Sequence, residues 1–228
     1  MAMHPVERPS SLTELAYGQL RMALLDGQFK AGERLSVVSL AAKLGMSRSP
    51  VRAAFERLSS EGLLSQVRGG SGAVVATPSH EDLLDALAVR AALEGLAAEL
   101  AARRLTDADL AKLQQIHRDF EHSVSRDDTK RARRVDLEFH QYIQGRSGNS
   151  VLVEDLERVQ AKVILGTYST AWGSSQHRAV DEHAEILQAL VARNADAAAQ
   201  AATVHLHNLT GRLRDAWAMT NTDTTPQG

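Results

Sequence analysis

From Ser79 to about Met219 apolar residues recur at helical spacing, and no alternating, strand-like run interrupts them. Segments of that kind bury their stripes only against one another, so this stretch demands an all-α bundle. Ser79 and Thr106 are each followed three residues on by an acid, Asp82 and Asp109, as capping-box variants that start helices. Further breaks near Arg126, Gly148, Gly173 and Asn194 divide the stretch into six helices. A chain of 228 residues has room for such a bundle and one smaller unit beside it.

The smaller unit has a different texture. Glycine and β-branched residues cluster over 62–77, and Thr77-Pro78-Ser79 closes that cluster, which puts a boundary near residue 78. Charge divides at the same place: residues 1–78 carry nine Lys/Arg against six Asp/Glu, and residues 79–228 carry 17 against 22. Ser11-Leu12-Thr13-Glu14 reads as a capping box for a first helix whose stripe is Leu12, Ala16, Leu20, Ala23 and Leu24, ended by Gly27. Ser36 then caps a short helix through Leu44, Gly45 stops it, and Ser47 caps another to about Glu61. Helix, tight glycine turn, helix is a helix-turn-helix. In its second helix Val51, Phe55 and Leu58 face inward, while Arg48, Ser49 and Arg52 project from the opposite side of the first turn and a half. Two arginines one turn apart at a helix start are where major-groove readers place bidentate contacts to guanine. The runs Leu63–Val67 and Ala73–Ala76, joined by Arg68-Gly69-Gly70-Ser71-Gly72, predict a two-stranded wing. Its Arg68 can meet a phosphate or the minor groove, with Gly69 allowing close backbone approach. The glycines do not form a nucleotide-phosphate loop, because no GK[ST] follows and no helix begins there.

Gly32-Glu33-Arg34-Leu35, Leu40-Ala41, Leu44-Gly45-Met46-Ser47-Arg48-Ser49-Pro50-Val51-Arg52, Arg57-Leu58 and Glu61-Gly62-Leu63 closely resemble the winged helix-turn-helix of GntR-family bacterial transcription regulators. The resemblance covers about residues 12–77 and implies that Arg48 and Arg52 read an operator while the wing-tip Arg68 enters the minor groove. The chain departs from the family at Val37 and Val38, where members often carry Glu and Arg.

In the bundle, polar residues interrupt three apolar stripes. Asp136 and His140 lie among Ala132, Val135, Phe139 and Ile143; His183 lies among Val180, Leu187 and Leu190; His205 lies among Ala198, Ala202, Leu209 and Leu213. Burying four such groups is costly unless they satisfy one another or bind a cation. One carboxylate and three imidazoles suit a divalent ion, zinc first, with nickel, manganese or iron as alternatives. His117, on a stripe with Leu110, Leu113, Phe120 and Val124, reads as a core histidine, and His207 points away from His205 toward solvent.

The pattern Arg90-x-x-Leu93-Glu94, Asp136-x-x-Phe139-His140, Ser147-Gly148-Asn149, Glu182-His183 and His205-Leu206 resembles the FCD ligand-sensing domain of the FadR subfamily, in its shorter, VanR-like variety. In metal-binding members the positions matching Asp136, His140, His183 and His205 hold the ion. The same resemblance places Arg90 and Asn149 at the effector, where Arg90 can pair with the carboxylate of a small organic acid. On spacing alone, Arg90 equally forms an i, i+4 salt bridge with Glu94.

The resulting expectation is a mainly α protein: a flexible N-terminus over 1–11, a winged helix-turn-helix over 12–77, an all-helical six-helix effector-binding and dimerisation domain over 79–219, and a disordered tail over 220–228. It is expected to be a homodimer that binds a pseudo-palindromic double-stranded operator, acts as a repressor and answers to a small organic acid. A purely structural metal is a second reading. A metal-dependent hydrolase or oxygenase is a third, weakened because no residue is placed by spacing as a general base. With no cysteine, disulfides and thiolate metal sites are excluded. The longest stretches free of Asp, Glu, Lys and Arg span 15 residues, short of a membrane helix, and no apolar leader opens the chain, so a cytoplasmic location away from membranes is expected. Tyr142, Tyr168 and Trp172 are possible pocket aromatics, with core packing the commoner role.

Overall fold

The computed structural model describes residues 11–67, 72–167 and 172–222, and the chain forms two compact units, Met1–Pro78 and Ser79–Gly228. Arg68 and Gly69, the tip of the expected wing, lie outside the described residues, as do Tyr168, the side chain of Trp172, residues 1–10 of the N-terminus and the end of the tail.

In the first unit α1 (Leu12–Leu25) starts at Ser11, whose hydroxyl accepts from the Glu14 amide. The box stays half-made because the Glu14 carboxylate turns to Arg57, at 2.9 Å. The buried stripe begins at Ala16, with Leu20 and Leu24, and Leu12 is exposed rather than part of it. Then come α2 (Val37–Leu44), capped by Ser36 and ended by Gly45 in the left-handed region, and α3 (Arg48–Ser60). Ser47 stands at the cap position of α3 but makes no side-chain capping bond, against expectation. A cap of this kind is donated by the second or third helical amide, and the third residue is Pro50, which has none.

Three short strands complete the unit: β1 (Arg34–Ser36), β2 (Leu64–Gln66) and β3 (Gly72–Val75). They form an antiparallel sheet in the order β1-β3-β2, with Leu35 opposite Ala73 and Ser65 opposite Val74. Sequence periodicity predicted β2 and β3 and missed β1, since three residues are too few to show alternation. A Cβ at Gly72 would fall 2.5 Å from the Leu35 carbonyl oxygen, so glycine is what lets β1 join the hairpin. Val51, Phe55 and Leu58 of α3 are buried together with Leu20, Leu24 and Leu63.

The second unit is the six-helix bundle: α4 (His80–Ala102), α5 (Asp107–Ser125), α6 (Thr129–Arg146), α7 (Ser150–Thr167), α8 (Trp172–Val191) and α9 (Ala195–Thr222). The capping boxes Ser79/Asp82 and Thr106/Asp109 are both complete. One core cluster joins Leu113, Ile116 and Phe120 of α5 to Phe139 and Ile143 of α6 and to Ile186 and Leu190 of α8. A second joins Leu83, Leu87 and Ala91 of α4 to Leu206, Leu209, Leu213 and Trp217 of α9. The α4 and α9 backbones come close at Gly95, where a Cβ would lie 2.5 Å from Thr203 Oγ1 and 3.2 Å from the Ala199 carbonyl oxygen. This contact sets the distance between Arg90 and Glu94 on one helix and His205 on the other.

Candidate functional site

Two surfaces of different character carry the chemistry. On α3 the apolar stripe is inward, and Arg48, Ser49 and Arg52 are all exposed on the opposite side of the first turns. Among the described residues neither arginine is held by an acid of its own chain. Both guanidiniums are therefore available to acceptors outside it. On α2, Val37 is buried at 2% exposure and completes the core, while Val38 stands exposed at 44%. That helix offers no charged side chain at these two positions.

Inside the bundle, the four residues predicted from the interrupted stripes converge. His140 of α6, His183 of α8 and His205 of α9 place ligand atoms within 4.8 Å of one another, all three buried. Asp136, one turn before His140, brings Oδ1 to 3.5 Å from His183 Nε2. Two carboxylates orient two of the rings. Glu182 accepts from His205 Nδ1 at 2.7 Å and is itself clamped by both terminal nitrogens of Arg212. Glu94 lies 3.5 Å from His140 Nδ1, accepts from Gln144 Nε2 at 3.0 Å and pairs with Arg90 Nε at 3.1 Å. The i, i+4 pairing of Arg90 with Glu94 is thus real, and it leaves Arg90 Nη2 without a partner. The ring of His183 is wedged against Phe139 at a centroid distance of 4.5 Å, and neither of its nitrogens has a hydrogen-bond partner.

The electrostatics match a cation site. Burial pushes the His183 imidazolium well below its usual range, aided by His205 and His140. Burial also lowers His205, against the pull of Glu182. For Glu182, burial would raise the carboxyl, but hydrogen bonds from His205 and Arg212 hold it at about 2. An ionised Glu182 fixes the His205 proton on Nδ1 and leaves the Nε2 lone pair free. Burial raises the Asp136 carboxyl against the opposing pull of His140, His205 and Arg90. The neutral imidazoles of His183 and His205, next to a carboxylate short of counter-charge, fit a divalent ion. The orphaned nitrogens of His183 supply the strongest test of that fit, since an unmade buried bond costs about 1–3 kcal/mol.

Arg90, Asp136, His140 and His205 line one cavity of about 20 Å³, together with Gln176, Ala179, Leu209 and Arg212. Asn149 stands apart. It is exposed, and its Oδ1 accepts from the Leu152 amide as the cap of α7, so it does not line the cavity. Tyr142 donates to Asp109 at 2.9 Å, away from this cavity. His117, expected in the core, is only half-buried near Phe139, whereas His207 is exposed as expected.

Sequence reasoning gave no role to Gln176, Glu182 or Arg212. A signal existed for two of them: Gln176 precedes His183 by seven residues and Arg212 follows His205 by seven, so each shares its histidine's helix face. Glu182 had no spacing signal, only its place in the Glu182-His183 pattern, because it acts across the α8–α9 contact.

Comparison with known proteins gives matches along most of the chain. The model of the bacterial regulatory proteins of the gntR family matches residues 12–75, and that of the FCD domain matches residues 76–208. The HTH-type transcriptional regulator YdhC of Bacillus subtilis (strain 168) is 28% identical over 208 residues, covering 89% of this chain and 91% of its own. The HTH-type transcriptional regulator McbR of Escherichia coli (strain K12) is 32% identical over 158 residues, covering 69% of this chain and 71% of its own. A solved structure of E. coli McbR/YncC superposes with a TM-score of 0.82 at 26% identity, covering 91% of this chain and 99% of that one. The HTH-type transcriptional repressor RspR of E. coli (strain K12) is 27% identical, covering 87% of each chain.

Proposed function

The chain belongs to the GntR family of bacterial regulatory proteins, with an FCD domain behind its DNA-binding unit, and on that premise we propose that it is a metal-assisted, acid-responsive repressor. As a GntR/FCD protein it is a DNA-binding transcriptional regulator and not an enzyme. Two copies would present their α3 helices to the half-sites of a pseudo-palindromic operator in the cytoplasm, with Arg48 and Arg52 reading guanines and Ser49 meeting the backbone. Arg68 and Gly69 would serve the minor groove. Repression is the sign that RspR carries in its name. Among the described residues no helix is long and apolar enough to cross a membrane.

The observation that carries the sensing half of this reading is the convergence of His140, His183 and His205, with Asp136, beside a cavity that Arg90, Asp136, His140 and His205 line. Asp136, His140, His183 and His205 would hold a divalent ion, zinc first, and the ion would supply positive charge that draws an anion. Arg90 Nη2 would receive the carboxylate of a small organic acid, a charge-assisted bond. Arg90 sits on α4 and the histidines on α6, α8 and α9, so an acid bridging them favours one arrangement of these helices over another. A second reading, a purely structural metal, is favoured by the 20 Å³ volume, which holds little more than one water.

Elemental analysis with and without a chelator, followed by operator-binding titrations with small carboxylic acids on both forms, decides between them. Near-stoichiometric metal and an acid that releases operator only from the metal-loaded protein support the sensor. Stoichiometric metal with no response to any acid gives the structural reading, and absence of metal overturns both.

A further inference from the structure

Buried side-chain atoms without a partner gather at one place in this molecule. Arg90 Nη2, Gln176 Nε2, Arg212 Nε and both ring nitrogens of His183 are all in this condition. Elsewhere among the described residues, Ser59 Oγ and His117 Nδ1 share it. A metal answers for His183 and one carboxylate answers for Arg90. Neither accounts for Gln176 and Arg212, two further N–H donors on α8 and α9 that line the same cavity.

Both are built into the site rather than resting on its rim. Gln176 is 5% exposed and the Arg212 side chain 12%. Arg212 is held from behind, with both terminal nitrogens on Glu182, so its Nε–H is fixed in direction and not free to fold back on itself. A donor held rigidly with no acceptor, as Arg212 Nε–H is, is the form that preorganised recognition takes. Two unpartnered donors lining one cavity match the two oxygens of a carboxylate better than a single hydroxyl or keto oxygen. They stand on different helices from Arg90, which already serves one carboxylate. The cavity of about 20 Å³ admits an acid of even three or four carbons only as lining side chains turn outward. Gln176, which makes no hydrogen bond through Nε2, is the one that gains by turning onto an entering oxygen, while Arg212 Nε–H stays fixed to meet it.

We propose that the effector is a short dicarboxylate, its first carboxylate taken by Arg90 beside the metal ligands and its second by Gln176 Nε2–H and Arg212 Nε–H. This rests on the metal-assisted acid sensor argued above and names its ligand class. Each charge-assisted bond at the second carboxylate adds about tenfold or more in affinity. The acid therefore has to be doubly ionised to be read in full.

The test is calorimetric titration of the zinc-loaded full-length protein with malonate and succinate against propionate and butyrate, which match them in carbon number and lack the second carboxylate. At least one diacid should bind about tenfold tighter than its monoacid, and Gln176→Leu should erase that preference while leaving zinc content and monoacid affinity unchanged. Arg212→Lys, which keeps the charge facing Glu182 and removes the Nε–H, should reduce the preference in the same direction. Diacids and monoacids binding within about twofold of each other would overturn the dicarboxylate assignment and leave the acid sensor standing. A preference that survives both substitutions would also overturn it. If no acid binds the zinc-loaded protein, the sensor reading falls with it.

Discussion

The two units of this chain place their working residues on opposite sides of the folding problem. In the first, Arg48 and Arg52 are exposed and the core beneath them is apolar, so the recognition proposed for them would rest on other atoms than those that hold the fold. In the second, Asp136, His140, His183 and His205 are themselves core residues, at positions where a leucine would fold better. A surface reader can be altered without touching the fold. If the bundle senses as proposed, its polar groups sit in the core at the expense of stability, which a bound ligand would restore.

The largest effect that sharpens this contrast is at the surface. Arg48→Ala with Arg52→Ala should lower operator discrimination by about 100-fold or more, since each bidentate base contact contributes roughly 1–3 kcal/mol. The melting temperature and zinc content should stay at wild-type values. Footprinting with parallel thermal melts checks both, and a lowered melting temperature would mean that the two roles are not separate after all.

His183→Leu tests the other half. Removing both orphaned ring nitrogens should make the metal-free protein about 1–3 kcal/mol more stable than the metal-free wild type, while metal content falls to background. Chemical denaturation with chelator present reads the first and elemental analysis the second. A metal-free variant that is less stable than wild type would show that His183 earns its place by packing on Phe139 and Phe120 rather than by ligation.

Gly95→Ala probes how the site is spaced. The added Cβ meets Thr203 Oγ1, which can rotate, and the Ala199 carbonyl, which cannot without moving α9. A loss of about 1–3 kcal/mol is expected. Zinc affinity should fall with it, because His205 rides on the displaced helix. Unchanged zinc affinity would uncouple the α4–α9 distance from the ligand set.

What could be read in the sequence follows the same division. Helix-turn-helix and bundle were legible because stripes such as Val51, Phe55, Leu58 and Ala132, Val135, Phe139, Ile143 have helical period over many turns. The convergence of Asp136, His140, His183 and His205 was legible as polar intrusions on such stripes. Strand β1 was not, since pairing with β3 and the missing Cβ of Gly72 create it, and both are tertiary facts. The Ser47 cap misled because a favourable residue at the right position still needs an amide to bind, and Pro50 withholds it. Glu182 stood in the Glu182-His183 pattern but its role escaped, because its partners lie 23 and 30 residues away, on another helix. Asn149 was drawn to the effector by resemblance alone, and its side chain is spent on the start of α7.

The smallest expected effect lies at the α5–α6 junction of the bundle, among residues that do not line the cavity. Asp109 closes the capping box of α5 with Thr106 and also accepts from Tyr142 and Arg146 of α6. Its carboxyl is held well below its ordinary value of 3.8 by the Thr106 hydroxyl, the Thr106 amide and Arg146. A depressed carboxyl stabilises the fold above its unfolded-state value and loses that contribution as pH falls through the folded-state value. Between about pH 5 and pH 3 the wild-type melting temperature should therefore fall more steeply than that of Asp109→Asn, which has no proton to take up. Thr106→Ala, which removes the hydroxyl and keeps the carboxylate, should cost about 1 kcal/mol at neutral pH. Neither change should alter operator discrimination or zinc content. If either did, the α5–α6 junction would belong to the sensor, and the separation between the working residues and the rest of the bundle would have to be redrawn there.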